Sequence, residues 1–267
     1  MMTTSILQEN FTVDSAFLKR PVRVDLYLSG GVTVGSETGL LLINDGQDLT
    51  RMGFAGMLEQ LDSHEGLAPL LCVGIHAGPE RKMEYGVASR VNDQGWGKSA
   101  GAYSRFVLEE LIPVIGKRFA VSRFRMKAMA GFSLGALSAM DIVWKHPREF
   151  SIAGLFSGSF WWRTKDKLDP SFDERRDRIM QDEVRKGAYH RGLRFFFECG
   201  TEDELDDRNG NGVIDSIDDT KDLIAELVRK GYDPVRDIRY LEIEGGRHDV
   251  ATWARAMPEF LLWGWRK

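Results

Sequence analysis

The apolar residues of the chain fall into two kinds of run. Leu40 to Ile43, Leu70 to Ile75 and Ile152 to Phe156 are short and nearly continuous, the signature of strands buried on both faces, and Arg194 to Cys199, rich in aromatics, and Ile238 to Ile243 read as further strands. Met52 to Leu61, Tyr103 to Ile115, Asp222 to Lys230 and Val250 to Trp265 carry apolar residues at helical spacing, the last with Pro258 inside it. Val22, Val24, Leu26 and Leu28 alternate with polar neighbours, which predicts a half-buried outer strand, and Gly30-Gly31 predicts the turn after it. Residues 1–20 are polar and weakly patterned and read as an arm. The charged stretch from Lys165 to Lys186 reads as a solvated helix or excursion. Strands alternating with helices predict one α/β domain over residues 21–267, a mostly parallel central sheet with helices on both faces. Sites in such sheets lie beyond the carboxyl ends of the strands, here the loops beginning at Asn44, Gly131, Gly200 and Gly245.

One of these loops carries a motif. Met126 to Ala130 is a brief apolar segment that runs into Gly131-Phe132-Ser133-Leu134-Gly135, and Ala136, Leu137, Ala139, Met140 and Val143 recur beyond it at helical spacing. Strand, sharp turn and helix together present a serine hydroxyl at the sheet edge, with small residues two before and two after it so that the backbones can cross. Ser133 is therefore the candidate nucleophile. Gly97-Lys98-Ser99-Ala100-Gly101 matches the same spacing, but it follows a polar segment with no strand pattern, so Ser99 reads as a loop or helix N-cap serine. No dinucleotide fingerprint, phosphate loop or H-E-x-x-H zinc motif is present.

A serine hydroxyl needs a base, and the base needs a partner that fixes its tautomer. Of the five histidines, His64, His146 and His190 read as surface residues, and His76 follows a buried strand but precedes the serine. His248 follows the last strand in a glycine-flanked loop and completes the order serine, acid, histidine of the α/β-hydrolase fold. The acid lies in Glu202-Asp203-Glu204, just past a strand end, and alternation lets only some of these side chains face the site. The Leu134 amide supplies one oxyanion donor, and the second comes from the Asp45-Gly46-Gln47 loop.

Composition removes other classes. A formal net charge of -4 and no basic stripe give no footprint for nucleic acid. No apolar run reaches the length of a membrane span, and the amino-terminal residues lack a basic and an apolar signal region, so the expectation is a cytoplasmic protein. Cys72 and Cys199 sit in predicted buried strands and suggest neither disulfide nor zinc. One signal points to a metal. Asp207, Asn209, Asn211, Val213, Asp215 and Asp218, with Gly212 at the sixth position, have the spacing of an EF-hand-type calcium loop, also like that of dockerin modules, and predict a structural Ca²⁺.

The segments LLLINDGQD, YSRFVLEELIPVIGKRF, AGFSLGALSAM, FFFECGTEDE and GGRHDVATWARAMPEFL together resemble the putative-esterase family of α/β hydrolases, which includes enterochelin esterases, feruloyl and acetyl xylan esterases, esterase D and the mycolyltransferases. The resemblance runs from about residue 20 onward. It implies Ser133 as nucleophile, Asp203 as acid, His248 as base, and the backbone amides of Gln47 and Leu134 as oxyanion donors. It further implies a serine carboxylic-ester hydrolase that forms an acyl-enzyme, needs no cofactor for catalysis and takes a small-molecule ester. An acyltransferase would use the same residues; a non-catalytic calcium-dependent binding protein would not need them intact. The short amino-terminal arm leaves no room for the extra domain of enterochelin esterases. Phe160-Trp161-Trp162 leaves a strand at the catalytic edge and either forms an aromatic wall for bulky or aromatic esters or packs as core under the charged excursion. The sequence sets no oligomeric state.

Overall fold

The computed structural model describes residues 6–28 and 32–267; the Gly30-Gly31 turn lies outside them. Eight strands, β1 (Leu7–Ser15), β2 (Arg20–Leu28), β3 (Gly39–Asn44), β4 (Leu70–Ile75), β5 (Lys127–Phe132), β6 (Ile152–Phe156), β7 (Arg194–Glu202) and β8 (Ile238–Arg247), form one sheet in the order β1-β2-β4-β3-β5-β6-β7-β8. β1 and β2 are antiparallel to their neighbours, and β4, β3, β5, β6, β7 and β8 run parallel. This is the α/β-hydrolase fold. β3, β4 and β6 are buried along their whole length, because helices cover both faces.

Alternation sorts the side chains to the two faces. Leu40, Leu42, Val73, Met129 and Leu155 pack with Tyr103, Phe106 and the helix Leu134–Lys145. Leu41, Ile43, Cys72, Ala130 and Phe196 pack on the other face against Phe54 and Leu58 and against Trp253 and Phe260 of the last helix, Val250–Trp265. Both cysteines are buried and free. Among the described residues no helix is long and apolar enough to cross a membrane.

Five elements differ from the sequence reading, each for a local reason. Residues 7–15 are not an arm but the edge strand β1; only Val13 and Ser15 are buried in it, so its apolar alternation is faint. β2 is accordingly an inner strand. β7 and β8 continue past Gly200 and Gly245, because their pairing carries on through a bulge to Glu202 opposite Arg247. The helix expected from Asp222 begins at Asp215, its first turn holding Asp215 and Asp218 where a helix dipole favours negative charge.

Candidate active site

Ser133 stands between β5 and the helix Leu134–Lys145 at φ 57°, ψ -121°. The flanking glycines are there for contact. A Cβ on Gly131 would lie 2.5 Å from the Gly135 carbonyl, and one on Gly135 would lie 2.6 Å from Asp45 Oδ2. Of the five described non-glycine residues with positive φ, three, Asp45, Ser133 and Ser157, follow β3, β5 and β6 directly. Each such conformation costs about 1–3 kcal/mol, and strain collected at one sheet edge is held there by surrounding bonds.

Those bonds are visible. Asn44 Nδ2 donates to Gly135 O at 2.7 Å, and the Tyr103 hydroxyl donates to Asn44 Oδ1 at 2.5 Å. Arg81 Nε and Nη2 donate to the two Asp45 carboxylate oxygens at 2.7 Å each, and Nη2 also reaches Phe132 O at 3.3 Å. One guanidinium thus joins the Asp45-Gly46-Gln47 turn to the residue before the nucleophile. Asp45 is buried, so loss of the partly exposed Arg81 would leave a buried carboxylate without its cation. Leu134 and Gln47 lie in the first turn of a helix and of a 3₁₀ turn, where the N–H has no intrahelical acceptor. The Gln47 side chain is turned away, toward Asp45 and the Ala77 amide, and Gln47 does not line the cleft.

The pairing of β7 with β8 brings the other two residues together. With Glu202 opposite Arg247, the next residue on each strand is Asp203 and His248. Asp249 then caps the last helix by accepting from Thr252 N at 2.9 Å, which anchors the loop on the far side of the histidine. Ser133, Leu134, Asp203 and His248 line one cleft of about 390 Å³, together with Arg81, Lys82, Ser157, Ser159, Trp161 and Glu204. No hydrogen bond joins Ser133 to His248 or His248 to Asp203; the Ser133 hydroxyl lies 3.3 Å from that of Ser159. Such bonds are commonly loose before substrate binds.

Charge links the pair nonetheless. The outer edge of the His248 ring faces solvent, but its packed side, including the edge contact with Trp253 at 5.5 Å, is short of water, and this lowers its pKa. The Asp203 charge opposes that shift and the Arg81 cation adds to it. Burial raises the Asp203 pKa, opposed by Ser157 and by His248. Glu202 is exposed and paired with Arg247 at 3.1 Å, so it faces away; Glu204 lines the cleft with its pKa raised by burial.

The remaining expectations are placed as follows. Only Trp161 of the aromatic run lines the cleft; Phe160 and Trp162 are fully buried, packed against Phe197 and Trp96, because the helix Ile179–Lys186 covers that side of the segment. The wall is therefore one residue. Ser99 precedes the helix Ala100–Arg105 and not a strand-to-helix turn. His76 Nε2 lies 2.6 Å from Asp25 Oδ2, and the His190 ring packs on Trp144. In the 207–218 loop, Asn209 and Asn211 both reach Asp218 Oδ2 at 2.9 Å, while Asp207 accepts from the Gly210, Asn211 and Gly212 amides. Asp215 is turned away, toward Arg208 and Lys167. Among the described residues no group of three or more His, Cys, Asp and Glu side chains is placed to hold a metal. A larger groove, about 540 Å³, is lined by Lys167, Arg178, Arg208, Glu174 and Asp222; its arginines pair with Glu174 and Asp222, Lys167 pairs with Asp206, and it holds no nucleophile. Arg81, Ser157, Ser159 and Glu198 carry no sequence motif, since each acts through partners distant in the chain.

Residues 15–263 match the family model described as putative esterase. Over 179 residues the chain is 25% identical to an endo-1,4-beta-xylanase/feruloyl esterase of Xylanibacter ruminicola, a match that covers 66% of this chain but only 20% of that protein. In structure it is similar to the enterobactin esterase of Shigella flexneri solved in the presence of enterobactin, with a TM-score of 0.74 at 21% identity over 97% of this chain and 58% of that one. A siderophore hydrolase from Aspergillus nidulans gives 0.68 at 16% identity, covering 95% of this chain and 93% of that one. At these identities the structural likenesses speak for the fold.

Proposed function

The chain belongs to the putative-esterase family of α/β hydrolases, and from that premise we propose that it is a serine carboxylic-ester hydrolase that works through an acyl-enzyme. One arrangement carries the reading: the β7–β8 pairing sets Asp203 beside His248 in the cleft into which the strained Ser133 turn opens. Ser133 Oγ attacks the ester carbonyl while His248 takes its proton. The Leu134 amide at the cleft wall holds the tetrahedral oxyanion, and the backbone amide of Gln47, set back from the cleft lining, is the second donor. Collapse releases the alcohol, which leaves with the proton from His248, and water then repeats the sequence on the acyl-enzyme. Asp203 keeps the imidazole oriented and stabilises it when charged. Small-molecule esters are the substrates, with Trp161 and Lys82 at the cleft wall.

Turnover of short-chain, aromatic and siderophore-type esters tests this. Because burial and Arg81 lower the His248 pKa, the base is neutral further into acid than an ordinary histidine. Activity should therefore rise with pH through a midpoint below the reference value of about 6.5. A panel without turnover, or a midpoint above that value with chemistry rate-limiting, would overturn the assignment.

We also propose a calcium site of modest affinity in the 207–218 loop, with Asp207, Asn209, Asn211, Asp218 and the Val213 carbonyl as donors. Asp215, paired with Arg208, contributes no charge, which weakens the site relative to tight buffers. Calorimetry should show binding only as calcium approaches about millimolar, lost in Asp207→Ala, with melting temperature rising through linkage. Absence of heat and of any melting shift at that concentration would leave a plain acidic turn.

A further inference from the structure

Behind the cleft lies a second carboxyl that the proposed mechanism does not use. Glu198 is on β7, fully buried, on the sheet face covered by the last helix. Its Oε2 lies 3.5 Å from the Ser157 hydroxyl, and its backbone carbonyl accepts the Ser157 N–H at 2.8 Å. Ser157 is itself held, since Trp253 Nε1 donates to its Oγ at 2.9 Å, and it occupies a positive-φ conformation at 43°. The Asp203 carboxylate lines the same cleft as Ser157 and lies over the Gly200 Cα. Glu198 Oε1 and both Asp203 carboxylate oxygens are buried without a hydrogen-bond partner.

A serine hydroxyl has one proton to donate, and Ser157 has two carboxyls to serve. Two buried carboxylates this close cannot both ionise without a large cost, so one keeps its proton. The asymmetry is plain: Asp203 lies beside His248 and the open cleft, whereas Glu198 has no cation in contact, Arg255 of the last helix acting on it only at a distance. We propose that Glu198 is a positioning residue which, through the Ser157 hydroxyl it shares with Asp203, fixes the carboxylate that orients His248. The proposal rests on Asp203 being the acid of the triad. Burial first, and then the Asp203 charge, push the Glu198 pKa up to about 8, so at neutral pH Glu198 is a hydrogen-bond donor and Asp203 carries the charge. The charged and polar groups around it are Asp203 in the loop after β7, Ser157 after β6 and, at a distance, Arg255 on the last helix; Trp253 reaches it only through Ser157, and Cys199 next to it on β7 turns to the opposite face, toward Thr220. Above pH 8 a second negative charge would compete for Ser157 and repel Asp203 from its place.

The expected wild-type profile therefore has an alkaline descent of kcat with a midpoint near 8. Glu198→Leu, which removes the donor, should lower kcat on the order of 10-fold to 100-fold with KM changed less than about twofold, as misplacement of a catalytic group does. Glu198→Gln, isosteric and unable to ionise, should recover kcat to within about fivefold of wild type and abolish the descent. Purified variants with wild-type melting behaviour would be assayed from pH 5 to 10 alongside Asp203→Asn. A Glu198→Gln profile that keeps the wild-type descent overturns the proposal, as does a folded Glu198→Leu protein of unchanged kcat. Should Glu198→Leu fail to fold, the Glu198→Gln profile decides alone. If Asp203→Asn is itself as active as wild type, the triad reading fails; if Asp203→Asn is inactive and Glu198→Gln keeps the descent, only the role of Glu198 fails.

Discussion

Replacing Ser133 by alanine should lower ester turnover by at least about 10³-fold and leave the fold in place, because the change removes a nucleophile and no packing. The residual rate should stay above that of water, since the amides at Gln47 and Leu134 and the cleft itself remain. Stability should move little, and in which direction is set by the backbone. Alanine tolerates the φ of 57° at this turn no better than serine, and the bonds from Arg81 and Asn44 that hold the turn do not involve the hydroxyl. Ser159 provides the control. Its Oγ lies 3.3 Å from that of Ser133, yet it sits after β6 and not on the strained elbow, so Ser159→Ala should cost no more than about tenfold, the worth of one hydrogen bond. Steady-state kinetics on one activated ester decides it. Equal losses at Ser133 and Ser159 would remove Ser133 from the role of nucleophile.

What could be read in the sequence was whatever chemistry concentrates within a few residues. Gly131 to Gly135 is legible because a tight strand-to-helix crossing dictates residue size at fixed offsets, and the all-buried strands are legible because burial on both faces leaves no polar positions. β1 was not, since an edge strand buries too little to show a period. The ends of β7 and β8 are hidden at Gly200 and Gly245, where glycine normally marks a turn. Here Gly200 is needed because the Gly246 backbone and Asp203 Oδ1 crowd the position a Cβ would take, and pairing continues beyond it. The aromatic run fits a wall and a core equally well as sequence, because a chain leaving a strand turns successive side chains to different sides; Trp161 meets the cleft, and Phe160 and Trp162 pack in the core. The Arg81 clamp on Asp45 and the contact of Ser157 with Glu198 join residues 36 and 41 apart in sequence, which no local pattern records.

The same β7–β8 register makes the choice among three neighbouring acids a sharp test. Glu202 lies inside the paired strand with its side chain about half exposed and bonded to Arg247, so Glu202→Gln should change turnover by less than about threefold, as expected for a surface ion pair. Glu204 lines the cleft and its carboxyl lies away from His248, toward the 215–219 segment, as the acidic neighbours that raise its pKa indicate. Glu204→Gln should therefore act on KM more than on kcat. Asp203 alone couples to the histidine, each shifting the titration of the other. Asp203→Asn keeps the shape but removes the charge that stabilises the imidazolium, and it can present its NH₂ to the ring and select the wrong tautomer. The expected loss is on the order of 10³ to 10⁴ in kcat at neutral pH. With Asp203 neutral, the larger of the two raising influences on His248 disappears, only Asp249 still opposing burial and Arg81, so the acid limb of the residual activity should move further toward acid. A loss that fell instead on Glu204→Gln, or an acid limb that stayed in place in Asp203→Asn, would assign the role to another carboxylate and break the link between strand register and catalytic geometry.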